Sequence, residues 1–125
     1  MTGALLVFAG GGLGAVLRYG VNRLAFHLLG PGFPWSTLIV NVLGSLLMGL
    51  LIGALAAVPG GASHHLRQFL ATGLLGGFTT FSAFSLDALT LWERGQVGVA
   101  LAYVLASVVV SLLAVAAGFF LSRAF

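Results

Sequence analysis

Two series of polar side chains recur every four residues within apolar stretches of this 125-residue chain. One series begins with Asn41 and Ser45, and the other consists of Tyr103, Ser107 and Ser111. Because an α-helix returns to the same face about every 3.6 residues, each series predicts a strip of neutral hydrogen-bonding groups on one helix. Such a strip can bind a small ion through hydrogen bonds alone. Hydrogen bonds between neighbouring membrane helices are the alternative interpretation.

A third feature is the stretch GGFTTFSAF, residues 76–84, which interrupts a run of leucine and alanine. Glycine disfavours a helix by about 1 kcal/mol relative to alanine, and β-branched threonine is also a weak helix former. We therefore predict that a helix breaks between Gly76 and Thr80. Such a break frees backbone carbonyls that can coordinate a cation. Phe81 and Phe84 follow directly, and the positively polarised edges of their rings can face an anion.

Groups that support catalysis are scarce in this chain. It has no cysteine, and neither polar strip contains a carboxylate, lysine or histidine. We expect no nucleophile with a base and no metal cluster, and therefore no enzyme. We expect Asp87 to pair with Arg94 near an interface, with a position in the lining of an ion path as the alternative. Arg18 lies inside an apolar stretch, where it can concentrate anions near an entrance, so the residues favour a passive anion path.

The composition indicates that lipid surrounds the elements that carry these residues. The chain is 60% hydrophobic and 6% charged, with a mean hydropathy of +1.17. Soluble domains carry about 25% charged residues. The net charge of +3 reflects few acids rather than a basic patch, which argues against a nucleic-acid partner. We therefore expect an all-α membrane protein.

Four apolar segments reach the length of about 20 residues that a membrane-spanning helix needs. They cover residues 5–29, 38–58, 66–91 and 97–121. The N-terminus has no basic residue before its apolar run, so we expect a retained first span rather than a cleaved signal. The connections are too short to hold a further domain. The sequence thus predicts one four-helix transmembrane domain over residues 1–125, with the third helix broken midway.

The arginines give no clear signal for orientation in the membrane. With four spans, Arg67 and Arg123 lie on one side, and Arg23 and Arg94 lie on the other. Orientation normally follows an excess of Lys and Arg in cytoplasmic loops. We therefore predict insertion in both orientations and an antiparallel homodimer of opposed copies. In the alternative interpretation, the terminal amino group or a few neighbouring residues fix one orientation.

Pairs of glycines spaced four residues apart occur in three of the predicted spans. They are Gly10 and Gly14, Gly49 and Gly53, and Gly73 and Gly77. Small residues at this spacing let the backbones of membrane helices approach closely. The pairs predict tight packing between helices.

Three stretches together resemble the Fluc, or CrcB-type, fluoride channels. They are GGGLGAVLRYG (10–20), TLIVNVLGS (37–45) and GLLGGFTTFSAF (73–84), in the family's order and within a chain of similar length. The resemblance implies a dual-topology homodimer in the plasma membrane, which is the inner membrane of a bacterium. It also implies two fluoride pores that export cytoplasmic fluoride.

The resemblance further assigns roles to individual residues. The residues implied in the fluoride pathway are Asn41, Phe81, Phe84, Tyr103, Ser107 and Ser111. Arg18 would stand at a vestibule, and the backbone carbonyls of Gly76 and Thr79 would hold a structural sodium ion between two subunits. Ala83 departs from the family, which commonly has threonine there, so one hydroxyl near the phenylalanines is absent.

Two other functions fit a four-helix membrane protein. A small multidrug-type proton-coupled exporter depends on a glutamate in its first span, whereas the first acid of this chain is Asp87 in the third span. A non-transporting assembly subunit would use the polar strips only to join helices. Flux of fluoride through reconstituted protein distinguishes these possibilities.

Overall fold

A computed structural model describes residues 1–61 and 63–124 of the chain. Phe125, the last residue of the predicted domain, lies outside this part. Within these described residues, four helical segments are long and apolar enough to cross a membrane. Three of them are the unbroken helices α1 (Thr2–Leu29), α2 (Trp35–Ala56) and α6 (Val97–Arg123). The expected all-α membrane protein is confirmed, and the helices extend up to three residues beyond the predicted spans at several ends.

The third crossing consists of two helical pieces. The first half-helix (residues 64–78) joins α3 (His64–Arg67), a π-helix (Gln68–Leu75) and α4 (Gly76–Phe78). The second half-helix is α5 (Phe81–Glu93). The sequence did not predict the π-helix, a wider helical form that occurs often at functional sites.

The predicted break in the third crossing is confirmed, and it is shorter than expected. Only Thr79 and Thr80 leave the helix, with extended backbone angles of φ −85°, ψ 160° and φ −153°, ψ 118°. Gly76 and Gly77 remain helical because the latter packs against α1: a Cβ added at Gly77 would lie 2.9 Å from the Cα of Gly11. Tertiary packing therefore overrides the weak helix propensity of glycine at this point.

Glycines bring the backbone of α1 against the first half-helix. A Cβ added at Gly14 would overlap the carbonyl of Leu74 and lie 2.7 Å from the amide nitrogen of Phe78. A Cβ at Gly10 would lie 2.9 Å from the amide nitrogen of Leu74. This close approach fixes the position of the break relative to α1, as the glycine pairs of the sequence predict.

Helices α2 and α6 pack against each other in the same way. A Cβ at Gly49 would overlap the carbonyl of Val115, and a Cβ at Gly118 would overlap the carbonyl of Leu46. Since both glycines leave room for the opposite backbone, the two helices approach closely along their second halves. Their polar strips therefore lie on adjoining helices near the break.

Candidate functional site: two cavities around the helix break

The break opens into a cavity between α2, α5 and α6, which we call the break cavity. Its volume is about 440 Å³. Five of the six residues predicted for the ion pathway line it: Asn41, Phe81, Phe84, Ser107 and Ser111. The sixth, Tyr103, does not. The structure thus brings together residues from three helices that are far apart in the sequence.

Asn41 holds the extended backbone of the break. Its Oδ1 accepts a hydrogen bond from the amide of Thr80 at 2.8 Å, and its Nδ2 donates to the carbonyl of the same residue at 3.0 Å. The sequence predicted Asn41 only as a donor lining the path. Because Nδ2 carries two protons, one of them is left for an ion in the cavity after the bond to Thr80.

Several backbone carbonyls at the break lose the donor that a continuous α-helix would supply four residues later, and those of Gly76 and Thr79 are two of them. The amide of Thr80 donates to Asn41 instead of the carbonyl of Gly76. The amide of Ala83 donates to the Oγ1 of Thr80, 3.1 Å away, instead of the carbonyl of Thr79. Gly76 and Thr79 are the two residues whose carbonyls the family resemblance implies as sodium ligands. Freed carbonyl oxygens are suitable ligands for such a hard cation.

Arg18 reaches the same break from α1. Its Nε donates to the carbonyl of Gly77 at 3.1 Å, and its side chain is partly buried. A positive charge at the C-terminal end of a helix is favourable because the helix dipole is negative there. Arg18 therefore stabilises the end of the first half-helix, a contact that the expected vestibule role did not include.

Ser107 and Ser111 of α6 line the break cavity. The Oγ atoms of both are buried and have no hydrogen-bond partner among the described residues. Buried hydroxyls normally find a partner, and an exception calls for an explanation. The two side chains lie one helical turn apart, about 6 Å along α6, so they can donate successively to an ion that moves past them.

Phe81 and Phe84 lie at the start of α5 on one side of the break cavity. Their ring centroids are 5.4 Å apart, with an angle of 52° between the planes. The side chain of Phe84 is 8% exposed, whereas that of Phe81 is 75% exposed. One ring therefore belongs to the protein core, and the other projects from the surface of this chain.

Tyr103 is fully buried, with 0% exposure, beside the break cavity. Its ring contacts Phe84, at 5.4 Å between centroids, and meets Phe33 edge-on at 5.5 Å. Its hydroxyl donates to the Oδ2 of Asp87 at 3.0 Å. The expected pairing of Asp87 with Arg94 is thus replaced by a bond to Tyr103 within the bundle.

A second cavity, of about 390 Å³, lies under the connection between α1 and α2. We call it the loop cavity. Its lining includes Phe33, Thr37, Asp87 and Arg94. Sequence reasoning missed the buried Thr37, although it precedes Asn41 by four residues and so continues the polar strip of α2. It also missed Phe33, because a contact between a loop residue and a distant helix leaves no periodic signal.

A model of one protein family, described as "CrcB-like protein, Camphor Resistance (CrcB)", matches residues 5–119. The chain belongs to the CrcB family. The match includes most or all of each crossing and the whole break, so the resemblance read from the three sequence stretches is confirmed. A chain of this family with four apolar helices is a multi-pass membrane protein.

Relatives in the CrcB family carry a specific name. A protein of Rhodopseudomonas palustris (strain BisB5) is 55% identical over 96% of each chain. A protein of Paracoccus denitrificans is 60% identical over 95% of this chain and 93% of its own, and one of Agrobacterium fabrum is 54% identical over 98% of each. Each is named "Fluoride-specific ion channel FluC". That name describes conduction, which is not an enzymatic activity.

Proposed function

We propose that this protein is a fluoride-selective channel that exports cytoplasmic fluoride by passive flux across the inner membrane of a bacterium. The observation that carries the proposal is the break cavity, which Asn41, two phenylalanines, Ser107 and Ser111 line together. The hydroxyls of the two serines have no hydrogen-bond partner among the described residues. The names of the three relatives identify fluoride as the ion that such a cavity would conduct.

Neutral donors suit the conduction of fluoride. The ion is small and strongly hydrated, so losing water demands close hydrogen-bond donors in return. Ser107 and Ser111 supply such donors, and the ring edge of Phe84 supplies a weaker positive potential beside them. Because none of these groups is charged, each holds fluoride weakly enough to release it to the next. Conduction requires this balance between entry and exit.

We further propose that an antiparallel copy of the chain completes the pathway. The arginines are divided equally between the two sides of the membrane, and Phe81 projects from the surface with 75% exposure beside polar groups of the break cavity. Polar groups that face lipid directly are unfavourable in the membrane. A protein surface that covers this cavity in place of lipid therefore stabilises the membrane-embedded protein. A second copy in the opposite orientation provides such a surface and gives two pathways per dimer.

The freed carbonyls of Gly76 and Thr79 fit a structural sodium ion at the contact between two such copies. Hydrogen bonds from Thr80 and Ala83 to side-chain oxygens leave these two carbonyls available. Bound sodium would supply a fixed positive charge at the break. Arg18 and Asn41 hold the backbone around it through Gly77 and Thr80.

Reconstitution of the purified protein in liposomes tests the proposed function. Vesicles are loaded with potassium fluoride, and a potassium ionophore starts the efflux, which a fluoride electrode records. We expect rapid fluoride efflux, far slower chloride efflux from matched vesicles, and no need for a proton gradient. Well-folded protein without fluoride flux would contradict the proposal and favour an assembly subunit. Flux that requires a proton gradient would favour an exporter.

Substitution of the phenylalanines tests the location of the pathway. We expect Phe81→Ile and Phe84→Ile each to reduce fluoride efflux while the protein stays monodisperse in detergent, because isoleucine fills space without a polarised ring edge. Phe120→Ile is the matched control, since that ring is exposed on α6 and lies outside the break cavity. Equal efflux in all three variants would place the pathway elsewhere.

A further inference from the structure

Tyr103 separates the two cavities of the bundle. It lines neither cavity, yet its ring contacts Phe84 of the break cavity and Phe33 of the loop cavity. Along α2, the loop cavity borders residues 35–37 and the break cavity begins at Asn41. The cavities therefore occupy successive levels of the membrane, with the buried tyrosine between them.

The loop cavity extends along one face of α5. Its lining on this helix and the residue that follows it comprises Ala83, Asp87, Thr90, Leu91 and Arg94. These positions span about 16 Å at the rise of an α-helix, which is about half of the hydrocarbon thickness. Arg94 lies at the outer end and attracts anions, whereas Asp87 lies closer to the break and bonds to the tyrosine hydroxyl.

We propose that Asp87 determines anion specificity by competing with the permeating ion for the Tyr103 hydroxyl. The inference rests on the proposed channel function and adds a residue to it. In the structure, the Tyr103 hydroxyl donates its hydrogen bond to the Asp87 carboxylate, with 3.0 Å between the two oxygen atoms. An anion that moves between the cavities gains the hydroxyl only by displacing the carboxylate.

The competition favours fluoride over chloride. Hydrogen bonds from a hydroxyl to an ionised oxygen are short and strong. Fluoride is small and accepts a hydrogen bond of similar strength, so it can replace the carboxylate with little net loss of hydrogen-bond free energy. Chloride is larger and a weaker acceptor, so it does not recover the lost bond. The negative charge of Asp87 repels both anions, and the difference in hydrogen bonding decides which one passes.

Variants of Asp87 test this inference by the ratio of chloride to fluoride efflux in matched vesicles. Asparagine is similar in size to aspartate but neutral and a weaker acceptor. We expect Asp87→Asn to raise the ratio about tenfold, the effect of weakening one charge-assisted hydrogen bond. Asp87→Glu restores a carboxylate and should return the ratio to within about threefold of the original, because a charged acceptor is again present.

Glu93→Gln is the control for charge alone. Glu93 is exposed at the end of α5 and lines neither cavity, so this variant should leave the ratio unchanged. Tyr103→Phe removes the donor instead of the competitor and should lower fluoride efflux without raising chloride efflux. This variant provides the test if Asp87→Asn does not fold.

The outcomes separate this inference from the proposed function. An original protein that does not conduct fluoride would overturn the channel function itself. A fluoride-selective original protein whose ratio is unchanged in Asp87→Asn would overturn only the role of Asp87. A rise in chloride efflux in Tyr103→Phe would also overturn it, because chloride would then pass more easily without the contested hydroxyl.

Discussion

The Oδ1 of Asn41 accepts the hydrogen bond from the Thr80 amide that, in a continuous helix, the carbonyl of Gly76 would accept. The same side chain lines the break cavity, so one residue both shapes the backbone and contacts the path. The sequence predicted the second role from the four-residue spacing. The first depends on a partner 39 residues away, which no local pattern indicates.

Replacing Asn41 with alanine should destabilise the break. Both hydrogen bonds to Thr80 are lost. A buried polar group without its partner destabilises the folded state by about 1–3 kcal/mol. We expect Asn41→Ala to lower the thermal unfolding midpoint in detergent and to reduce fluoride efflux. Ser45→Ala is the comparison for stability alone: Ser45 lines the same cavity one turn away, but the bonds to Thr80 come from Asn41, so this variant should keep the midpoint. An unchanged midpoint in Asn41→Ala would contradict the structural role.

Ser107 and Ser111 should show the opposite behaviour. Their hydroxyls have no partner among the described residues, so the fold loses no hydrogen bond when they are removed. We expect Ser107→Ala and Ser111→Ala to leave the unfolding midpoint equal or higher. Fluoride efflux should fall about tenfold for each, the equivalent of one neutral hydrogen bond to the ion.

Ser122→Ala on the same helix is the comparison for the two serines. The Oγ of Ser122 donates to the carbonyl of Phe119 at 2.9 Å, and the residue lies outside the break cavity. Its removal should leave fluoride efflux unchanged. Full efflux in Ser107→Ala and Ser111→Ala would show that these hydroxyls do not bind the ion.

At the scale of the helices, glycine contacts determine where the third crossing breaks. Gly76 and Gly77 suggested unwinding by their weak helix propensity, yet both are helical because α1 packs against this stretch. The break falls instead on Thr79 and Thr80, where Asn41 and the cap at Ala83 provide other partners for the backbone. The sequence thus predicted the existence of the break, and helix packing decided its length.

Gly14→Ala should destabilise the contact between α1 and the first half-helix. A Cβ there would overlap the carbonyl of Leu74. Overpacking of this kind destabilises the folded state by about 1–3 kcal/mol. Gly20→Ala on the same helix is the matched control, because no described atom lies within 4 Å of its added Cβ. The unfolding midpoint in detergent measures both. Similar midpoints for the two variants would contradict the close contact.

At the scale of the whole molecule, the equal division of arginines predicts that the chain inserts in both orientations. The chain has no cysteine, so a single His64→Cys provides one label site at an exposed position. We expect a membrane-impermeant thiol reagent to label it from both faces of intact membranes, with about half of the copies reached from each.

Gln96→Cys, at the opposite end of the bundle, is the control for orientation. It is exposed in the connection before α6. Dual insertion predicts labelling of this position from both faces as well. A single orientation predicts that the His64 and Gln96 positions are labelled from opposite faces, which would contradict the antiparallel dimer.

The sequence alone determined the lipid environment, the four crossings, the break and the strips of polar residues. These features depend on hydropathy and on spacing within one segment, which are local properties. Only the tertiary structure decided the partners: Asn41 with Thr80, Arg18 with Gly77, and Tyr103 with Asp87 and Phe33. These contacts join residues on different segments. They arise because the glycines let particular helices approach, and that choice of neighbours is a property of the whole bundle.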